Sequence, residues 1–292
     1  MDQKYFTAKS PTVDTVNSFL KALWGYDSDR LYRVMAIQTT SAPGVSKVTV
    51  FVASNSPGAK IASLTFYITP DGKHAIAEGA GVVPFGADPF ADLRAMMQSR
   101  ADGATRGAAG NGLLLVEFAD LQCPHCKEAQ ATMAKLEQDF PKARIVYQAY
   151  PLVEIHPYAY QAAAYGVCVA QKGAEAYFTY AQTVYNTQGA LVPDSAEQTL
   201  KDAAAKAGQD PAAIAACAAG DAAKAQVDKS IALGNEVGVD QTPMLAVNGR
   251  VIAFTSIPYE TLKSLIVYQA TLDGAGAAAM SPTSGGVDLK TH

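Results

Sequence analysis

No apolar run in this sequence approaches the roughly 18 residues that a membrane-spanning helix needs, which argues against a transmembrane segment. Basic charge is also scarce: Lys and Arg number 23 against 27 Asp and Glu, a formal net charge of −4. With no basic stripe and no polybasic segment, nucleic acid and membrane surfaces are not expected as partners. Met1-Asp2-Gln3-Lys4 lacks the apolar core of a signal peptide, so the chain reads either as cytosolic or as a sequence from which the signal has been removed. Cysteine is sparse, at four in 292 residues, which excludes a disulfide-dense miniature scaffold. Two cysteines share one CxxC, while Cys168 and Cys217 stand alone. A tetrahedral zinc needs four ligands, and neither a second CxxC nor a paired-histidine motif is present. No metal or separate cofactor is expected.

Against these shortages, 49% hydrophobic and 17% charged residues over this length allow a large buried core and lead us to expect two domains. The chain is organised around Cys123-Pro124-His125-Cys126. The apolar run Leu113 to Phe118 before it is short enough for a buried strand, and Ala129, Met133, Leu136 and Phe140 after it recur on one helical face. Pro124 suits the first helical turn, where its missing N–H is an orphan in any case, so Cys123 falls at or near the N-cap. Unpaired N–H groups and the positive end of the helix dipole favour an anion there, and a protonated or hydrogen-bond-donating His125 adds to the effect. Cys123 is therefore the expected thiolate. Cys126, one turn on, lies about 5 to 6 Å away between Cα atoms, within disulfide range. Thiols in such settings titrate at roughly 3.5 to 7.5. Stabilising the thiolate stabilises the reduced form, so the disulfide becomes the stronger oxidant.

From the N-terminus, Val13, Val16, Leu20 and Leu23 line one face of a helix that follows Ser10-Pro11 and stops at Gly25. Residues 31–40, 45–54 and 60–69 read as antiparallel strands separated by Pro-Gly turns, with a short strand near 73–78. This makes residues 1–84 a small α+β domain. Residues 85–111 read as a linker, a helix around Pro89 to Met97 followed by Gly103, Gly107 and Gly110. Residues 112–272 form an α/β domain: strand, helix and a second strand at 143–149, an alanine-rich helical stretch over 157–237, a hairpin at Asn248-Gly249 and a closing helix. Residues 273–292, rich in Gly, Ala, Ser and Thr, are expected to be disordered.

Val116-Glu117-Phe118, the CPHC motif, and Gly238 to Pro243 before Asn248-Gly249 resemble the bacterial Dsb thiol:disulfide interchange proteins. The resemblance spans roughly residues 112–270 and implies a thioredoxin fold with a helical insertion. CPHC looks like the oxidase DsbA. Phe66 to His74 resembles the end of the dimerisation domain of the isomerases DsbC and DsbG, which implies that residues 1–84 are a DsbC/DsbG-like or cystatin-like domain. The resemblance implies disulfide formation in reduced or unfolded exported polypeptides, in the periplasm or another extracytoplasmic space. It also implies a membrane partner that is DsbB-like for an oxidase or DsbD-like for an isomerase. A homodimer through the N-terminal domain, and a holdase in which the dithiol is secondary, are the alternatives it leaves. His156-Pro157 with Cys168 and Cys217 is similar to DsbA-like members that carry a second, structural disulfide, although two inert buried thiols fit equally well.

Three further positions are singled out. Glu117 interrupts a buried strand, where an ionisable group is costly unless paired or neutral, and reads as a proton relay for Cys126 or as a strand-end glutamate reaching solvent. Pro243 is either an ordinary trans proline or, as the resemblance implies, a cis proline beside Cys123. In the second case the Thr242 backbone is free to pair with an extended substrate strand. His156, just before a helix, is expected to cap or sit in a loop, and His74 to be an exposed strand residue.

Overall fold

The computed structural model describes residues 3–79, 81–110 and 112–275, and divides into two units, Met1–Asp92 and Leu93–His292. In the first unit, α1 (Val13–Trp24) buries Val16, Phe19 and Leu20. Its N-cap is Thr12, whose Oγ1 accepts the Thr15 N–H at 3.1 Å, so Ser10-Pro11 lies outside the helix. Five antiparallel strands follow in spatial order: β1 (Arg30–Thr39), β2 (Ser46–Ser54), β3 (Ala62–Ile68), β4 (His74–Ala77) and β5 (Gly81–Pro84). The alternation at Val48, Val50 and Phe66, Ile68 faces the core, where the Phe19 ring centroid lies 4.7 Å from that of Phe85. Strand β5, bounded by Gly81 and Pro84, is not expected from the sequence.

The second unit contains nearly all of α2 (Ala91–Arg100) and a mixed sheet in the order β10-β9-β7-β8-β6. β7 (Leu114–Ala119) is central, parallel to β8 (Arg144–Ala149) and antiparallel to β9 (Met244–Val247), which pairs with β10 (Arg250–Ile252). All six residues of β7 are buried, which is why it reads as an apolar run broken only by Glu117. β6 (Ala104–Gly107) corrects the linker expectation, since it is the antiparallel edge strand on β8. Its glycines serve close approach. A Cβ on Gly103 would stand 1.9 Å from the Tyr147 carbonyl oxygen, and Gly107 has φ of +78° beside the Ala143 carbonyl.

After α3 (Pro124–Asp139), the alanine-rich stretch forms α4 (Ala159–Ala170), α5 (Ala174–Asn186), α6 (Ala196–Lys206), α7 (Pro211–Ala219) and α8 (Asp221–Glu236). The breaks fall at Gly173, 187–195 and 207–210 as the glycines and prolines indicate. A further break at Gly220 separates α7 from α8. Asn248 and Gly249, with φ of 46° and 92°, turn the β9–β10 hairpin. The last helix, α9 (Tyr259–Leu272), ends at Asp273, which accepts from Arg94 and Asn248, each at 2.7 Å. Asp273 to Ala275 are thus part of the fold, and residues 276–292 of the expected tail lie outside the described residues. Among the described residues no helix is long and apolar enough to cross a membrane.

Candidate active site

Cys123 is the N-cap of α3 and Pro124 its first residue. Both sulfurs are free thiols and both cysteines are buried. The Cys123 thiol is lowered to about 5, chiefly by the hydrogen bond from the Cys126 thiol. Burial opposes this; the Thr242 side chain and the N–H groups of Cys126 and His125 assist it. Burial drives the Cys126 thiol strongly upward, and the Cys123 sulfur beside it adds to the shift. Two chemically identical side chains are thereby split into a thiolate and a retained thiol, the division of labour a redox dithiol needs. His125 acts through its backbone. Its ring is exposed and 3.3 Å from Glu128, away from the expected role of a charged neighbour to the sulfur.

The Thr242–Pro243 peptide bond is cis, and the Thr242 carbonyl lies 3.6 Å from Cys123 Sγ. Thr242 Oγ1 is buried and has no hydrogen-bond partner among the described residues. A thiolate at Cys123 is the acceptor that would satisfy it.

Glu117 does not reach solvent. It is buried in β7 opposite Tyr147, and its Oε1 accepts from Gln130 Nε2 at 2.9 Å. Burial raises its carboxyl to about 7, against the opposing effects of the Gln130 hydrogen bond and the Arg106 charge. Arg106 itself lies 3.2 Å from Glu137 and stacks 3.7 Å from the Phe178 ring centroid. Tyr147 and Tyr185 hydroxyls meet at 3.4 Å in the same cluster, and burial holds both far above their ordinary range.

Cys168 and Cys217 are joined by a disulfide linking α4 to α7, across 49 residues of sequence. His74 is on strand β4 and pairs with Asp71 at 2.9 Å, remote in sequence from the dithiol.

Sequence reasoning passed over Asp120, the one charged residue between β7 and Cys123. Its side chain is fully buried. Oδ1 accepts the Gln122 N–H at 2.7 Å, and Oδ2 accepts the Leu152 N–H at 2.9 Å and meets His156 Nδ1 at 2.7 Å. His156, expected as a loop residue, is in a loop and is this carboxylate's partner. Gln188 was also missed; its Nε2 donates to the carbonyls of Leu121 and Cys123, each at 2.9 Å. The available signal was an aspartate wedged among Phe118, Ala119 and Leu121. Among the described residues no group of three His, Cys, Asp or Glu side chains could hold a metal ion.

A family model described as Thioredoxin matches residues 101–267. Solved structures of similar fold include BdbD from Bacillus subtilis, with TM-score 0.50 and 20% identity, covering 58% of this chain and 93% of that one. A periplasmic thioredoxin-like protein from Salmonella enterica serovar Typhimurium gives TM-score 0.51 and 20% identity over 61% of this chain and 96% of that one. At such identities these likenesses speak to the fold. By sequence, the chain is 36% identical over 69 residues to the Na(+)/H(+) antiporter NhaA 3 of Salinispora tropica, 24% of this chain. It spans only 11% of the length of that relative, and the same share of NhaA 1 of Salinispora arenicola.

Proposed function

The chain belongs to the thioredoxin family, and from that premise we propose that its second unit is a thiol:disulfide oxidoreductase that forms disulfides in exported polypeptides. The observation that carries this reading is the split between Cys123, lowered to about 5, and Cys126, buried and raised. A substrate thiolate attacks Cys123 Sγ and the Cys123–Cys126 bond breaks, its electron pair leaving on Cys126. A second substrate thiolate then attacks its own sulfur in the mixed disulfide and expels Cys123, so the substrate leaves oxidised and the dithiol reduced. Cys123 leaves readily because its thiolate is the stable form. Glu117, poised near 7, supplies the proton that Cys126 takes up. The Thr242 backbone, beside Cys123, pairs with an extended substrate strand, a mode that tolerates many sequences.

The reading places the protein outside the cytoplasm and requires a membrane oxidant, DsbB-like, to reset the dithiol. A second reading, a dimeric isomerase supplied by a DsbD-like reductant or a holdase in which the dithiol is secondary, draws on the first unit. Tyr67, Ile76 and Val82 are directly adjacent across β3, β4 and β5 and are exposed, an apolar row for a partner or an unfolded chain.

The test is refolding of one multi-disulfide substrate supplied fully reduced or oxidised and scrambled, with Cys123→Ser controls. Rescue of the reduced form by oxidised protein supports the oxidase. Rescue of only the scrambled form by reduced protein overturns it in favour of the isomerase. Aggregation suppression that survives Cys123→Ser supports the holdase.

A further inference from the structure

Asp120 touches the redox turn through its backbone, and through its side chain both the turn and the loop after β8. Its N–H donates to Cys126 Sγ at 3.4 Å, and its carbonyl accepts the Cys123 N–H at 3.1 Å. The carboxylate is held by three groups: the N–H of Gln122 within the turn, and the N–H of Leu152 and the ring of His156 in the loop after β8. A buried charge without such partners would be expelled or neutralised; here every contact also fixes the peptide that carries the N–H.

We propose that Asp120 is the positioning residue for the leaving-group sulfur, aiming its own N–H at Cys126 so that the thiolate released there meets a preformed donor. The inference rests on the oxidoreductase reading above. When a substrate thiolate bonds to Cys123 Sγ, the sulfur–sulfur bond breaks and both its electrons pass to Cys126 Sγ. That sulfur is fully buried, so water cannot stabilise the charge before a proton arrives from Glu117. A donor already oriented costs no reorganisation at that moment, which is the principle of an oxyanion hole applied to sulfur. The end states carry no charge on Cys126, since it is either in the disulfide or a protonated thiol. The donor therefore lowers the barrier in both directions without moving the equilibrium. His156 belongs to the device as the group that keeps the Asp120 carboxylate in place.

The experiment measures, in the full chain, forward and reverse rate constants for exchange with glutathione, together with the equilibrium constant, for wild type, Asp120→Asn, Asp120→Ala and His156→Ala. Asn cannot accept from the Gln122 N–H on one side and from the Leu152 N–H on the other, because its amide nitrogen must face one of those donors. Asp120→Asn and Asp120→Ala are expected to lose tenfold or more in both rate constants, His156→Ala a smaller factor, all with the equilibrium constant unchanged. Wild-type rates in the variants overturn the proposal, as does an equilibrium constant that shifts by the same factor as one rate, which would mark a ground-state effect. Should the Asp120 variants fail to fold, His156→Ala carries the kinetic test, and the residue 120 amide proton of wild type must shift when the disulfide is reduced. An amide blind to the redox state overturns the proposal. Absence of any exchange in wild type defeats the oxidoreductase reading itself, a distinct result.

Discussion

Gln130 links the buried carboxyl of Glu117 to the redox turn: one amide nitrogen donates to Glu117 Oε1 at 2.9 Å and to the Cys126 carbonyl at 3.1 Å. Gln130 lies one helical turn beyond Cys126 on α3, so the acid is tied to the helix that carries both sulfurs. The charge of the partly exposed Arg106 also favours the ionised form of Glu117. Burial prevails over both, and the carboxyl is poised where it can give or take a proton at neutral pH.

Replacing Glu117 by Gln should therefore slow expulsion of Cys126 by roughly 10²-fold near pH 7, the usual scale for loss of a positioned acid or base. The pH dependence of that step around 7 should vanish, as measured by stopped-flow fluorescence with a thiol substrate. An unchanged pH profile would show that Glu117 transfers no proton.

The same raised carboxyl makes a stability prediction. A folded-state value near 7 against an ordinary 4.5 means that the native state holds a proton the unfolded chain has released. Stability thus falls as pH rises between these values, by about 3 kcal/mol in all. Glu117→Gln should recover an increment of that order at pH 8 and almost none at pH 4, read from urea unfolding at the two pH values.

Thiolate absorbance near 240 nm should titrate with a midpoint of about 5 and disappear in Cys123→Ser. Because the folded-state value is depressed, the contribution to the reduced form's stability is complete above the ordinary thiol range near 9 and is lost as pH falls through about 5. The gap in Tm between reduced and oxidised protein should move in favour of the reduced form over that window.

Thr242→Val keeps the shape of the side chain and removes the buried hydroxyl. The Cys123 titration should move upward, since a group that favours the thiolate is gone, and the disulfide should become a weaker oxidant. Spectrophotometric titration and glutathione equilibration check both. A midpoint left at its wild-type position would remove Thr242 Oγ1 from the account.

Breaking the Cys168–Cys217 disulfide with paired alanines should cost about 4 kcal/mol in the chain-entropy treatment of a 49-residue separation. Urea unfolding measures the loss. Exchange at Cys123 should persist in buffer, because the redox turn is held by Asp120, Gln188 and the sheet.

Local sequence determined the features that depend on neighbours in the chain. The largely apolar run before the dithiol reads as a buried strand, Pro124 suits the first turn of α3, and Asn248-Gly249 signals a hairpin; these place Cys123 at a helix N-terminus. Tertiary structure decided what depends on approach from elsewhere. β6 looked like a linker because Gly103 and Gly107 are flexible in isolation, and only β8 lying against them shows that their missing Cβ atoms make room for a carbonyl. Thr242 reaches the dithiol across more than a hundred residues. The values at Cys126 and Glu117 are set by how completely water is excluded, and Asp120 meets His156 and Leu152 only because β8 runs beside β7. Periodicity and capping are local and can be read along the chain, whereas desolvation and long-range hydrogen bonds exist only once distant segments have packed.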